Sequence, residues 1–173
     1  MKAIAPCLAK YTTVYMRLAL GLTFLAAVTD RCGLWGPPGT SNVAWGNFDT
    51  FLAYAAKLNP YLPAAWIPTV GWGVTLAEAV CGLALIVGFQ TRKVAVGSGL
   101  MLLAFALSMT MSLGIKAPFN YSVFSASAGA FLLATGTDTP WSIDTLRARH
   151  ARTWPRPQPA SALTTPATGR ACG

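Results

Sequence analysis

Glu78 stands near the middle of an apolar run that extends from Ile67 to Phe89. A carboxylate at that depth costs about 2.5 kcal/mol or more on insertion scales, and such groups usually face a bundle interior and mark a site. Its helical neighbours Gly71, Val74, Thr75, Cys81, Gly82 and Leu85 are mostly small or weakly polar, which places Glu78 and Thr75 on an inward face. Two roles fit: a carboxylate that contacts a ligand or proton, or a structural carboxylate bonded to a hydroxyl or an arginine. Arg17 is the candidate partner. In an antiparallel helix pair its Cα lies about 12 Å from that of Glu78 along the axis, within reach of two extended side chains. The alternative for Arg17 is snorkelling to lipid headgroups. Asp30 and Arg31 close the first apolar segment, either to pair with the following loop and line an opening into the bundle, or simply to end a helix. Ser125, with Ser122, Ser127, Ser108, Ser112 and Thr110, could bond a polar ligand group or fasten helices together. The candidate ligand-binding set is therefore Glu78, Arg17, Asp30, Thr75 and Ser125. No catalytic residue can be singled out.

Other chemistries find no support in the residue pattern. The cysteines Cys7, Cys32, Cys81 and Cys172 form no C-x-x-C pair, and His150 is the single histidine, so no metal site is expected. There is no glycine-rich phosphate loop, no nucleophile elbow and no haem-ligating histidine pair.

The elements that must position these residues follow from composition. Of 173 residues, 54% are hydrophobic and only 10% charged, against roughly 25% charged in soluble domains. Long uncharged runs identify an all-α membrane protein, a bundle of four transmembrane helices at about 13–29, 67–89, 94–114 and 120–134. Residues 1–12 precede the membrane domain of 13–136. The loop at 30–66 contains Trp35-Gly36-Pro37-Pro38-Gly39, a non-helical turn, and then a short amphipathic helix capped by Asn47 and ended by Asn59-Pro60. Phe48, Phe51, Leu52, Ala55 and Leu58 form its apolar face, which rests at the membrane interface or packs over the bundle mouth.

Ten of the thirteen Lys and Arg fall at the N-terminus, in the 90–93 loop and after residue 137, whereas Arg31, Lys57 and Lys116 lie on the other side. The positive-inside rule then places both termini in the cytoplasm, in a bacterial inner membrane, with the lipid bilayer as the principal partner. Residues 137–173 read as a cytoplasmic, basic, largely disordered tail. The net charge of +8 is explained by this topology, and no nucleic-acid binding is expected. Small-residue faces at Gly97, Gly99, Gly129 and Ala130 suggest self-association into a homo-oligomer.

The segments Arg17-Leu18-Ala19-Leu20-Gly21-Leu22-Thr23-Phe24-Leu25, Glu78 with Gly82-Leu83-Ala84-Leu85-Ile86-Val87-Gly88-Phe89-Gln90-Thr91-Arg92, and Lys116-Ala117-Pro118-Phe119-Asn120-Tyr121-Ser122-Val123-Phe124-Ser125 resemble the DoxX/DoxD family of small bacterial membrane proteins, over residues 13–136. The resemblance implies a membrane subunit of a quinone-linked redox system, as in the thiosulfate:quinone oxidoreductase type, with a soluble oxidoreductase partner. A quinone or lipid-like ligand would suit an apolar bundle interior with a few polar groups at its head. The competing reading is a non-catalytic membrane scaffold that anchors a soluble partner.

Overall fold

The computed structural model describes residues 4–136 and 140–153. Among them every regular element is helical: α1 (Ile4–Arg31), α2 (Phe48–Leu58), a 3-10 turn (Ala64–Trp66), α3 (Ile67–Val87), α4 (Thr91–Leu113), α5 (Lys116–Asn120), α6 (Val123–Thr135) and α7 (Ile143–Thr153). Three stretches are long and apolar enough to cross a membrane: Leu8–Arg31, Ala64–Val87 and Thr91–Leu113. The fourth apolar helix has 13 residues. At 1.5 Å per residue it spans about 20 Å, less than the ~30 Å hydrocarbon core. It starts at Val123 rather than near Asn120 because Ser122 takes a left-handed backbone (φ 54°) and interrupts the chain after α5.

Helices α1 and α3 run antiparallel and touch backbone to backbone. A Cβ on Gly21 would lie 2.9 Å from the Gly82 carbonyl oxygen, and one on Gly82 would lie 3.0 Å from that of Gly21. Small residues allow such approach where no hydrophobic drive separates helix from lipid. The α4–α6 seam works similarly: Ser127 donates to the Gly99 carbonyl at 2.8 Å, and the Phe131 ring covers Gly99. Gly129 meets Met16, and Ala130 is fully buried. Three of the four small residues expected to serve self-association are thus consumed within the chain, and only Gly97 faces open space.

The core has two levels. Near the α3–α4 turn, Leu20, Phe24, Leu85, Ala95, Ala130 and Leu133 join α1, α3, α4 and α6. At the opposite end, where α1 stops, Leu58, Ala106, Met109 and Val123 join α2, α4 and α6. The amphipathic helix α2 thus sets Leu58 against α4 and the first residue of α6. Asn47 caps it as expected, its side chain accepting from the Thr50 N–H at 2.8 Å, and Phe51 and Leu58 are its buried positions. The stretch expected to begin a disordered tail is instead helical at Ile143–Thr153. Ser142 initiates that helix by accepting from the Thr145 N–H at 3.1 Å. The remainder of the expected tail, residues 154–173, lies outside the described residues.

Candidate functional site

Glu78 pairs with Arg31. The Arg31 Nη1 lies 2.6 Å from Glu78 Oε2, with the two side chains 3% and 14% exposed. The same Nη1 donates to Thr75 Oγ1 at 2.8 Å, and the Thr75 hydroxyl donates to the Gly71 carbonyl at 2.8 Å. The guanidinium lies 3.8 Å from the Phe51 ring centroid and 5.1 Å from that of Trp45, so a cation buried in apolar surroundings gains cation–π contacts. Asp30, the neighbour of Arg31, turns to the loop: its Oδ2 accepts from the Ala44 and Trp45 N–H groups, both at 3.0 Å. This bond holds Trp45 in place against Arg31.

Arg17 does not reach Glu78, which corrects the expected pairing. Its guanidinium donates to the carbonyls of Leu85 (3.0 Å), Ile86 (3.0 Å) and Pro140 (2.9 Å), with a longer contact to Trp141 (3.5 Å). The reason is directional. Cα–Cβ bonds tilt toward the N-terminus of their own helix. Arg17 therefore points toward the start of α1, while Glu78 on antiparallel α3 points the opposite way. Arg31, at the end of α1, points back into the bundle and meets Glu78 head-on. With Gly21 level with Gly82, the Cα separation along the axis is about 9 Å for Arg31 and about 12 Å for Arg17. Arg17 instead donates to carbonyls in the last turn of α3, of which that of Leu85 also accepts from the Gly88 N–H at 3.3 Å.

Of the other expected ligand residues, Thr75 is buried beside the ion pair, whereas Ser125 is exposed on the far face of α6 and does not join it. Arg31, Phe51 and Trp45 were absent from the expected set. The tilt rule, applied to Arg31, is the signal that identifies the first of them.

The ion pair opens onto a cavity of about 250 Å³ between α1, α2, α3 and α4. Phe24, Phe51, Leu58, Val74, Leu102 and Phe105 supply most of the wall, and Arg31, Glu78, Tyr54, Asn59 and Ser108 supply the polar points. Asn59 and Ser108 are already engaged with each other at 3.3 Å, and Tyr61 donates to Asn59 Oδ1 at 2.7 Å. Arg31 and Glu78 are less satisfied. Arg31 Nε is buried without a hydrogen-bond partner, and Glu78 Oε2 makes its close ionic contact outside ordinary hydrogen-bond geometry. Among the described residues no cluster of three or more His, Cys, Asp or Glu could hold a metal ion.

A second polar cluster closes the opposite end of the bundle. Asp144 accepts from the Gln90 and Thr91 N–H groups, both at 2.8 Å, and so caps α4 from a distant part of the chain. Burial pushes the Asp144 carboxyl up, but the Thr91 and Gln90 N–H groups and the nearby Arg147 outweigh it and hold the group below its ordinary range. Gly88, left-handed at φ 70°, lies against Arg17 and Ser142.

Three long apolar helices, a shorter fourth and a charged pair buried among them define a multi-pass helical membrane protein. Residues 9–120 match the family model of the methylamine utilisation protein MauE, and the chain belongs to that family. The expected DoxX/DoxD membership is thereby corrected. The segments that suggested it are small and apolar residues that helix packing in a bilayer requires generally, as the Gly21–Gly82 contact illustrates. No curated protein and no solved structure matches the chain.

Proposed function

We propose that this chain is the membrane subunit of a redox system that serves methylamine utilisation, and that its cavity takes a quinone or another lipid-like ligand. The observation that carries the reading is the buried Arg31–Glu78 pair at the wall of an apolar cavity of about 250 Å³. Charge is retained inside a bilayer mainly where it has a task, and apolar pockets with a few convergent polar groups suit amphiphilic ligands. The family's association with methylamine utilisation supplies the metabolic setting. In this reading the chain crosses a bacterial inner membrane four times, with α6 completed by α5 and α2, and both termini are cytoplasmic. Arg92, Lys93, Arg147 and Arg149 at the α3–α4 turn and on α7 support that orientation. A soluble oxidoreductase would exchange electrons with the bound ligand.

The test is mass spectrometry of apolar molecules that co-purify with the protein. Wild type is expected to retain a quinone or lipid-like molecule in near-stoichiometric amount, and Val74→Trp, which fills the cavity, is expected to lose it. Equal recovery from both proteins, or none from wild type, refutes the site.

A further inference from the structure

The unfilled hydrogen-bonding capacity of the ion pair restricts what the cavity can accept. Arg31 offers five N–H donors. Among the described residues only Nη1 makes hydrogen-bonding or ionic contacts, with Thr75 and Glu78, and Nε is buried without a hydrogen-bond partner. Glu78 Oε2, although 2.6 Å from Arg31 Nη1, is buried without an aligned hydrogen bond, and the carboxylate has a second oxygen. One acceptor and one set of donors therefore stand side by side at the polar end of an apolar cavity. The pair is also electrically balanced. An anionic head would approach Arg31 only by displacing or repelling Glu78, and a cationic head would do the reverse. Either would leave a surplus charge where desolvation is expensive.

We infer that the cavity recognises an uncharged amphiphile whose head carries a hydroxyl, which donates to Glu78 and accepts from Arg31. This deepens the proposed function and rests on its ligand site. It leaves two sources, the hydroquinone form of a quinone and a long-chain alcohol-type lipid, and it excludes carboxylate and phosphate heads. Between the two states of a quinone it favours the reduced one, because a quinone carbonyl cannot donate to the carboxylate.

Binding to the purified protein in zwitterionic nanodiscs tests this, with decanol, decanoate, a decyl-substituted benzoquinone and its hydroquinone as probes. Tryptophan emission reads the binding, since Trp45 stands against Arg31. For wild type, decanol is expected to bind at least about tenfold more tightly than decanoate, and the hydroquinone at least about tenfold more tightly than the quinone, the yield of one hydrogen bond to a charged group. Glu78→Gln should reverse the first preference, because it leaves the Arg31 charge uncompensated and able to hold decanoate. It should also erase the second, since an amide can donate to a quinone carbonyl. A gain of decanoate affinity cannot come from misfolding. Hydroquinone binding without decanol binding assigns the quinol source, and decanol binding alone assigns the lipid alcohol and removes the quinone from the proposed function. Wild type that prefers decanoate overturns the inference while leaving an occupied cavity intact. Equal binding of all probes overturns it as well.

Discussion

Removing one member of the Arg31–Glu78 pair should destabilise the protein far more than removing both. Arg31→Met leaves a carboxylate that is 14% exposed with no cation beside it. An uncompensated buried charge of this kind costs about 3–5 kcal/mol. Glu78→Leu leaves the guanidinium with the Thr75 hydroxyl at 2.8 Å and the Phe51 ring at 3.8 Å. Those contacts should soften its loss by about 1 kcal/mol or more. The double variant Arg31→Met/Glu78→Leu replaces the pair with apolar groups of similar length. Such replacements of whole ion pairs are often neutral, so it should lie within about 1 kcal/mol of wild type. The expected order is thus Arg31→Met least stable, Glu78→Leu next, and the double variant near wild type. The coupling energy between the sites should then exceed about 4 kcal/mol, above the range of about 0.5–3 kcal/mol usual for contacting residues. The measurement is reversible unfolding in lipid nanodiscs, with the folded fraction read by steric trapping. A 3 kcal/mol loss changes the folded-to-unfolded ratio by about 150-fold, well within its range. A double variant whose loss equals the sum of the single losses would refute the reasoning, as would an Arg31→Met protein as stable as wild type.

The other expectations concern the opposite end of the bundle. Arg17→Met removes the donor shared by the Leu85, Ile86 and Pro140 carbonyls and should cost about 2–4 kcal/mol of unfolding free energy while leaving decanol binding unchanged. Arg17→Lys should recover little of that loss, since a lysine lacks the fork that reaches several carbonyls at once. Gly88→Ala should lower stability by about 1 kcal/mol or more from the left-handed backbone alone, with crowding against Arg17 in addition. Asp144 has a folded-state pKa below its ordinary 3.8, so its contribution is present above that pH and is lost as pH falls through the lower folded value. Protease cleavage within α7 should therefore rise below about pH 4 in wild type. An Asp144→Asn variant should show no such acid step.

Much of the bundle could be read from residue types alone. The apolar runs located α1, α3 and α4 to within a few residues at most ends, because uncharged stretches of that length have few other uses. Asn47 and Asn59 bracketed α2 because caps and stops are local chemistry. The inward face of Glu78 also followed from its small neighbours. What failed was geometry between elements. Arg17 and Arg31 are equally arginines on one helix, the first at its middle and the second at its end, and only the tilt of their Cβ bonds relative to an antiparallel neighbour separates them. The truncation of α6 depends on the backbone of a single residue, Ser122, in an otherwise helix-compatible stretch. The helix α7 was obscured by its basic composition, although Ser142 and Thr145 carry the spacing of a cap.

The contact between Gly21 and Gly82 has a mechanical consequence. Arg17 and Arg31 lie on nearly the same face of α1, roughly four turns apart, and each is bonded to α3, one on either side of that contact. A slide of α1 along α3 by even one turn would break both arginine attachments and drive backbone into backbone. Helices α1 and α3 thus behave as a rigid strut with three rivets. Any breathing that admits a ligand to the cavity must come from α2 or α4, and a cross-link fastening α2 to α3 would slow ligand exchange while one between α1 and α3 would not.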